Sequence, residues 1–343
     1  MDMNLFLYLF LILIIIFFLN QALIKNNFLI SLTGDSHQRF ASKSKIPLTG
    51  GILIFLYFLY FLNLNILSFI LFSFLIFILG ILSDLKILKS AKLRLISQIA
   101  VVLYFIAFNN IQINDTRIDY LDKILELNVI NFIFVSFCIL IVINGSNFID
   151  GLNTLNLGYY FIIGLVILYL YLNQIITINN IPIEHFLIFL FFALILNLLN
   201  KIYLGDSGSY LIGFTFSVFL ISVYNWNDTI SPFFIILLLW YPSYETLFSI
   251  IRKNILKKSS MSPDSNHLHQ LIYFFIKKFY KLSVLSANLI SAQVINIYNL
   301  IIFLVAMNFI SNSVIQLSFI ILNVFLYTII YFKTFVYKYK NLK

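Results

Sequence analysis

An all-α fold that crosses a membrane many times is the class this 343-residue chain predicts, and three observations predict it. The chain is 62% hydrophobic and only 10% charged, whereas soluble domains carry roughly 25% charged residues. Its apolar residues run continuously for about 14 to 24 positions at a time, near the ~20 residues a helix needs to cross the hydrocarbon core. A transmembrane barrel would instead show alternating segments of about 10 residues. Its polar residues gather in short clusters between those runs.

Eleven spans follow, near 4–24, 49–62, 66–82, 95–108, 130–145, 157–173, 185–200, 210–224, 232–250, 285–308 and 314–332. The second and fourth are short for a full crossing. No Lys or Arg precedes the first run, so it reads as a retained helix rather than a cleaved leader, which would open on basic residues. No internal repeat of the kind seen in inverted-repeat transporters is visible. The single Cys138 lies inside an apolar run, which excludes a disulfide framework and a Cys-based metal site.

Orientation follows from charge. With eleven spans, only Arg117 and Lys123 of the 22 basic residues fall on one side; the rest fall in the alternate loops and the C-terminal tail. Basic loops stay in the cytoplasm, so the N-terminus is expected outside and the C-terminus inside. The formal charge of +9 then serves insertion and contact with anionic lipid. It does not mark a nucleic-acid binder, because no soluble basic domain exists to carry that role.

Five polar clusters fall on the basic side: 31–51, 82–98, 144–155, 200–209 and 262–270. Asp84 ends the third span, followed by Lys86, Lys89, Lys92 and Arg94; it reads either as a helix-end acid or as a carboxylate beside phosphate-binding lysines. Asn147, Asp150 and Asn153 recur every three residues, a spacing that puts them on one helical face. Oxygen donors of this kind suit Mg²⁺ or a nucleotide; the alternative is an Asn-rich turn closed by Gly145 and Gly151. Asp206 sits between Gly205 and Gly208, where backbone can approach a phosphate. The same GDSG stretch could place Ser207 as a protease nucleophile, but that needs a histidine base nearby, and lone His185 lies at the opposite, outer end of the seventh span. His267 and His269 are two apart and lack the Cys or helix-spaced His that zinc would need; an anionic pyrophosphate or sugar fits them better, with Arg252, Lys253, Lys257 and Lys258 close in sequence. Glu245, inside the ninth span, is either functional or paired with Arg252.

Taken in order, the QRF…IPLTGGI run, the stretch from Asp84 to Gln98, NFIDGLN, LGDSGSYLIGF, the run from Pro242 to Arg252 and NHLHQLI resemble the polyprenyl-phosphate N-acetylhexosamine-1-phosphate transferases, the bacterial branch of glycosyltransferase family 4. The resemblance covers most of the chain. It implies a single integral membrane domain, 1–343, whose cytoplasmic loops 31–48, 83–94, 144–156, 200–209 and 251–284 form one active site. It implies transfer of N-acetylhexosamine 1-phosphate from a UDP-sugar to polyprenyl phosphate with release of UMP, at the bacterial inner membrane, as the first membrane step of O-antigen or teichoic-acid-type glycans. The implied partners are UDP-N-acetylhexosamine, polyprenyl phosphate and membrane lipid, with no nucleic acid; a homodimer is compatible with the family. The implied cofactor is Mg²⁺, with Mn²⁺ as a substitute.

By the same resemblance Asp206 and Asn147 hold the metal, with Asp150 completing or orienting the site. Asp84 positions or deprotonates the lipid phosphate with Lys92 beside it, Gly151 and Asn153 lie near the nucleotide, and His267 and His269 contact the sugar-phosphate with Arg252 nearby. Asp84, Asp150 and Asp206 are thus the expected catalytic acids. Two departures stand out. The family's usual aspartate pair is Ser83-Asp84 here, which speaks against a mechanism needing a two-carboxylate dyad. Asn153 and the His loop differ from relatives that make the peptidoglycan precursor, which favours a plain UDP-N-acetylhexosamine. The reading from another class is a transporter or flippase, which would place polar groups and broken helices near the bilayer midplane.

Overall fold

The computed structural model describes residues 3–31, 45–60, 67–179, 182–257 and 265–341. The QRF motif, most of loop 31–48 and the 258–264 part of loop 251–284, Lys258 included, lie outside the described residues. The described chain forms helices α1 (Met3–Asn26), α2 (Gly50–Tyr60), α3 (Leu67–Asp84), α4 (Ala91–Asn109), α5 (Asp119–Leu125), α6 (Asn128–Ile149), α7 (Leu155–Leu172), α8 (Ile183–Leu198), α9 (Gly205–Asn225), α10 (Pro232–Leu238), α11 (Trp240–Ile255), α12 (Leu268–Phe279), α13 (Val284–Ala306) and α14 (Ser313–Lys340). Among the described residues the only β feature is one antiparallel bridge, Ile30 with Pro47.

Eight of these helices are long and apolar enough to cross a membrane, and the bent pair α10–α11 makes a ninth. The chain is a membrane protein. α2 and α8 are shorter apolar helices of 11 and 16 residues. The fourth expected span is longer than its apolar run suggests, because Ser90 caps α4 and starts it at Ala91. α5 and α12 were not among the expected spans; α12 carries Lys277 and Lys278 in its last turn and buries one face.

α9 is the central helix. Every residue from Ser207 to Ile221 is buried, and α2, α3, α6, α7 and α10 all pack on it. A helix buried all round has no lipid face to present. α1 is the reverse, with Phe6, Phe10, Phe17 and Phe18 exposed on its outer side, as a peripheral helix in lipid requires.

The ninth span is not one helix. α10 and α11 meet at a 74° bend at Leu239, with Pro242 in the first turn of α11. A bend within apolar surroundings frees backbone groups that must find partners. The Tyr159 hydroxyl, on α7, donates to the Leu238 carbonyl (2.7 Å) and accepts from the Tyr241 amide (3.4 Å). The Trp240 indole donates to Asn299 on α13 (2.7 Å).

The turn after α6 is strained. Thr154 adopts φ +66°, a region costly for a β-branched residue. It is held by Asn197 Oδ1, which accepts from its amide at 2.6 Å, and by Gln293 and Asn296, which donate to its hydroxyl and carbonyl at 3.0 Å each.

Candidate active site

The site forms where α3, α4, α6, α9, α11 and the start of α12 converge on one cavity of about 630 Å³. Asp84, Asn147, Asp150, Gly151, Asn153, Asp206 and His267 all line it. Residues from four separated stretches of sequence therefore reach one space.

Gly80 brings α3 onto α9: a Cβ there would lie 2.2 Å from Ser207 Cα. The last residue of α3 then meets the first turn of α9. The Asp84 carboxylate accepts from the backbone amides of Asp206 (2.8 Å) and Ser207 (3.0 Å). It satisfies two of the four amides that a helix N-terminus leaves open, and it sits at the positive end of the helix dipole. Gly205 makes this approach with φ +71°, where a side chain would come within 2.8 Å of Asp84 Oδ2. The eighth expected span thus starts five residues early, and LGDSGS is a helix start rather than a free loop. Ser207 is buried and outside the cavity lining, which disposes of the nucleophile reading.

Asp206 is gripped on both oxygens. Oδ1 accepts from Asn147 Nδ2 (2.7 Å), and Oδ2 accepts from Arg94 Nη1 (2.9 Å) and from the Ser83 hydroxyl. Arg94 Nη1 also donates to Ser83 Oγ (2.6 Å). Ser83, where the resemblance leads one to expect a second aspartate, thus works as a donor to Asp206 and an acceptor from Arg94. Asp150 lines the same cavity, and its carboxylate takes no hydrogen-bond partner among the described residues. Burial, reinforced by the charges of Asp206 and Asp84, pushes its carboxyl well above the usual carboxylate range. No three His, Cys, Asp or Glu side chains among the described residues form a ready metal cage. The oxygen donors that could hold a cation are Asp206, Asp150 and the Asn147 amide. That set suits Mg²⁺, which binds through one or two carboxylates and fills its shell with water and substrate phosphates.

Asn147, Asp150 and Asn153 do not share a helical face as their spacing suggests. α6 stops at Ile149, Asp150 is its C-terminal cap, and Asn153 lies in the turn. The Asn153 amide donates to Asn200 Oδ1 (2.6 Å), so part of its work is holding the strained turn. Gly151 lines the cavity and packs on His269, whose Nε2 lies 2.3 Å from where a Cβ would be.

The cations differ in register from the expected ones. Lys92 is exposed and outside the cavity lining, whereas Arg94, two residues on, lines it. Arg252 turns into the protein, donating to Tyr331 (2.7 Å) and to the Asn266 carbonyl. Its neighbour Lys253 lines the cavity, its Nζ 5.9 Å from the Phe148 ring centroid. Glu245 meets His267 Nδ1 (2.9 Å) instead of Arg252. His269 is fully buried behind His267, with neither ring nitrogen hydrogen-bonded among the described residues. Burial, with His267 adding to it, pushes its imidazole down to about 3, so it is a neutral ring.

From its polar end the cavity continues along Leu95 and Ile99 of α4, Phe137, Leu140 and Ile141 of α6, and Ile250 of α11. Phe137 and Ile250 are themselves exposed, so this apolar arm opens on the side of the bundle. One space thus joins acids and cations to a lateral apolar groove.

Residues 66–224 match the model of glycosyl transferase family 4. The matched stretch is just under half of the chain. It carries Asp84, Arg94, Asn147, Asp150 and Asp206; Glu245, Lys253 and His267 lie beyond it. Among curated relatives, a probable undecaprenyl-phosphate N-acetylglucosaminyl 1-phosphate transferase of Bacillus subtilis (strain 168) is 28% identical over 192 residues, covering 54% of this chain and 52% of that protein. An undecaprenyl-phosphate alpha-N-acetylglucosaminyl 1-phosphate transferase of Thermotoga maritima is 33% identical over 85 residues, covering 25% of this chain and 28% of that protein. The matched part spans about half the length of the first relative and less of the second.

Proposed function

We propose that the protein transfers N-acetylhexosamine 1-phosphate from a UDP-sugar to polyprenyl phosphate and releases UMP. The observation that carries this reading is the cavity itself, whose acids and cations meet an apolar arm open to the side of the bundle. The acceptor's tail dissolves only in lipid and the donor only in water. A polar end joined to a lateral groove admits both, and the family 4 match and the names of the two relatives support the same chemistry.

The step is a displacement at phosphorus. An acceptor phosphate oxygen attacks the phosphorus bonded to the sugar, the pyrophosphate P–O bond breaks, and UMP leaves with the electron pair. Two anions must approach, so neutralising charge is the main catalytic demand. Arg94 serves it: Nη1 is committed to Ser83 and Asp206, and the rest of its fork takes no partner among the described residues. Lys253 supplies a second positive charge across the cavity. Asp206, Asp150 and Asn147 are the residues that would hold Mg²⁺, which when bound shields the pyrophosphate. Asp84 fixes the first turn of α9, and with it Asp206, beneath the acceptor phosphate. Direct attack by the lipid phosphate is the preferred route over a two-step path through a covalent intermediate on Asp206, and trapping a phosphorylated enzyme with the UDP-sugar alone would overturn that preference.

The chain is placed in the bacterial inner membrane with the cavity on the cytoplasmic face and the N-terminus outside, because positive loops stay inside. Eleven crossings fit the packing of both short helices. α2 runs from Gly50, whose amide donates to Tyr203 at the cavity end (3.0 Å), to Tyr57, whose hydroxyl donates to the Pro182 carbonyl at the other (3.3 Å). α8 starts beside Pro182 and ends near Asn197, whose amide donates to the Ile202 carbonyl (3.0 Å). The downstream product, an O-antigen or teichoic-acid-type glycan, and a homodimer rest on the resemblance alone. A transporter is disfavoured because the polar lining stops at one end of the bundle.

The test is UMP release by detergent-solubilised protein given polyprenyl phosphate, Mg²⁺ and a panel of UDP-sugars. UMP release with a UDP-N-acetylhexosamine, dependent on the lipid, is expected. Release with none of the panel contradicts the reading.

A further inference from the structure

Glu245 lies in α11, fully buried, outside the family 4 match and outside the cavity lining. A buried carboxylate is costly unless donors surround it. Glu245 has three, two from the start of α12 and one from α14. His267 Nδ1 lies 2.9 Å from Oε1. The Leu268 amide, at the open N-terminus of α12, donates to Oε2 at 3.3 Å, and the Tyr327 hydroxyl of α14 donates to the same oxygen at 2.8 Å. The ring of His267 is set by this contact. With Nδ1 committed to Glu245, only Nε2 can serve the cavity that His267 lines, and Nε2 takes no partner among the described residues. The ring is held from behind as well, stacked on His269 at 5.8 Å and 10°. The backbone on either side of it is pinned, by Gln270 Oε1 accepting from the His267 amide (3.2 Å) and by Lys338 of α14 donating to the Ser265 carbonyl (2.8 Å).

We propose that the Tyr327–Glu245–His267 chain is a positioning relay, in which Glu245 fixes the orientation and tautomer of His267 so that Nε2 meets an oxygen of the sugar-phosphate. A carboxylate bonded to the far nitrogen of a working imidazole fixes tautomer and orientation in many metal and catalytic sites, and losing it costs roughly 10–100-fold in activity. Glu245 touches no substrate; it acts through His267. The role of His267 toward a sugar-phosphate rests on the transferase reading above, whereas the relay itself does not.

Two readouts separate the relay from that reading and from a merely structural Glu245. The first is a cycle of UMP-release rates with Glu245→Gln, His267→Ala and the double variant, each checked for monodispersity. Glu245→Gln is expected to lower kcat by about 10–100-fold, with Tyr327→Phe lowering it less. The double variant is expected to be no slower than His267→Ala alone, because residues that act as a unit are not additive. Losses that multiply overturn the relay. The second readout needs no activity: nitrogen NMR of labelled histidine, with the His267 signals assigned through their loss in His267→Ala. Protonated Nδ1 facing a carboxylate is expected in wild type and a changed tautomer balance in Glu245→Gln. An identical His267 spectrum in the two proteins overturns the relay, even if UMP release proves absent and the transferase reading fails.

Discussion

Asp84 illustrates how far a single residue can be read before its surroundings are known. Its position at a span end, before a run of basic residues, marks it as important. Its actual partners, the amides of Asp206 and Ser207, come from a stretch 122 residues away and cannot be read locally. Asp84→Asn keeps the shape but swaps one acceptor for a donor facing an amide. It is expected to cost about 1–2 kcal/mol of stability and to slow UMP release by about 10²-fold. Thermal unfolding and rate are measured on the same preparation; a lowered Tm with a near-normal rate would confine Asp84 to capping. His269 gives a pH signature. Its folded pKa is pushed below the ordinary 6.5, to about 3, so below pH 6.5 the unfolded chain takes up a proton that the folded protein refuses. Stability is unaffected by this group above that pH and falls as pH drops from about 6.5 toward 3, by roughly 1 kcal/mol at about pH 5.5. Tm measured from neutral to that pH is expected to fall less in His269→Asn; an equal fall would show that His269 is not the responsible group. Cation register was the least legible feature at this scale. Lys92 and Arg94, or Arg252 and Lys253, are equivalent as members of a basic cluster, but a helix turns each residue by about 100°. Only the packed helix decides that Arg94 and Lys253 face the cavity.

At the scale of elements, hydrophobic runs located the helices well. Each of the eleven runs is helical where described, because in lipid the backbone must satisfy its own polar groups. What the runs hid was the break inside 232–250, since both arms are apolar and hydropathy carries no angle. Pro242 was the available hint. The bend matters because it aims α11 so that Lys253 and Ile250 reach the cavity. The Tyr159 hydroxyl, between the Leu238 carbonyl and the Tyr241 amide, is the group that makes the bend tolerable. Tyr159→Phe leaves both buried groups short of a partner and is expected to destabilise by about 1–3 kcal/mol, read as a lower Tm in detergent together with a lower rate of UMP release. An unchanged Tm would mean the bend is held by other contacts. The turn after α6 was half legible. Its Asn and Gly content announced a turn, but a shared face for Asn147, Asp150 and Asn153 would need the helix to run past Ile149, where it ends.

For the molecule as a whole, alternation of the spans sorts the loops into two groups that meet their own kind. Loops far apart in sequence join at the end away from the cavity: Thr177 bonds Asn227 (2.7 Å), Ser231 bonds the Ile310 carbonyl (2.8 Å), and Arg117 donates to the Ile230 carbonyl (3.2 Å). The loops carrying Asp84, Asp150 and Asp206 join at the other end, around one cavity. The ordered motifs made that convergence readable, because acids set among Gly, Asn and His in several loops on one side point to a shared charged substrate. The apolar arm was not readable, since its lining residues are ordinary members of α4, α6 and α11 until packing leaves a gap between them. The central claim is that acids from distant stretches serve one anionic reaction at this cavity. The measurement that tests it most directly is the rate of UMP release by purified Asp206→Ala, with polyprenyl phosphate, a UDP-N-acetylhexosamine and Mg²⁺ present, beside wild type. Loss of nearly all release from a variant that still inserts and purifies as a folded protein is the expected result; a rate close to wild type would contradict it.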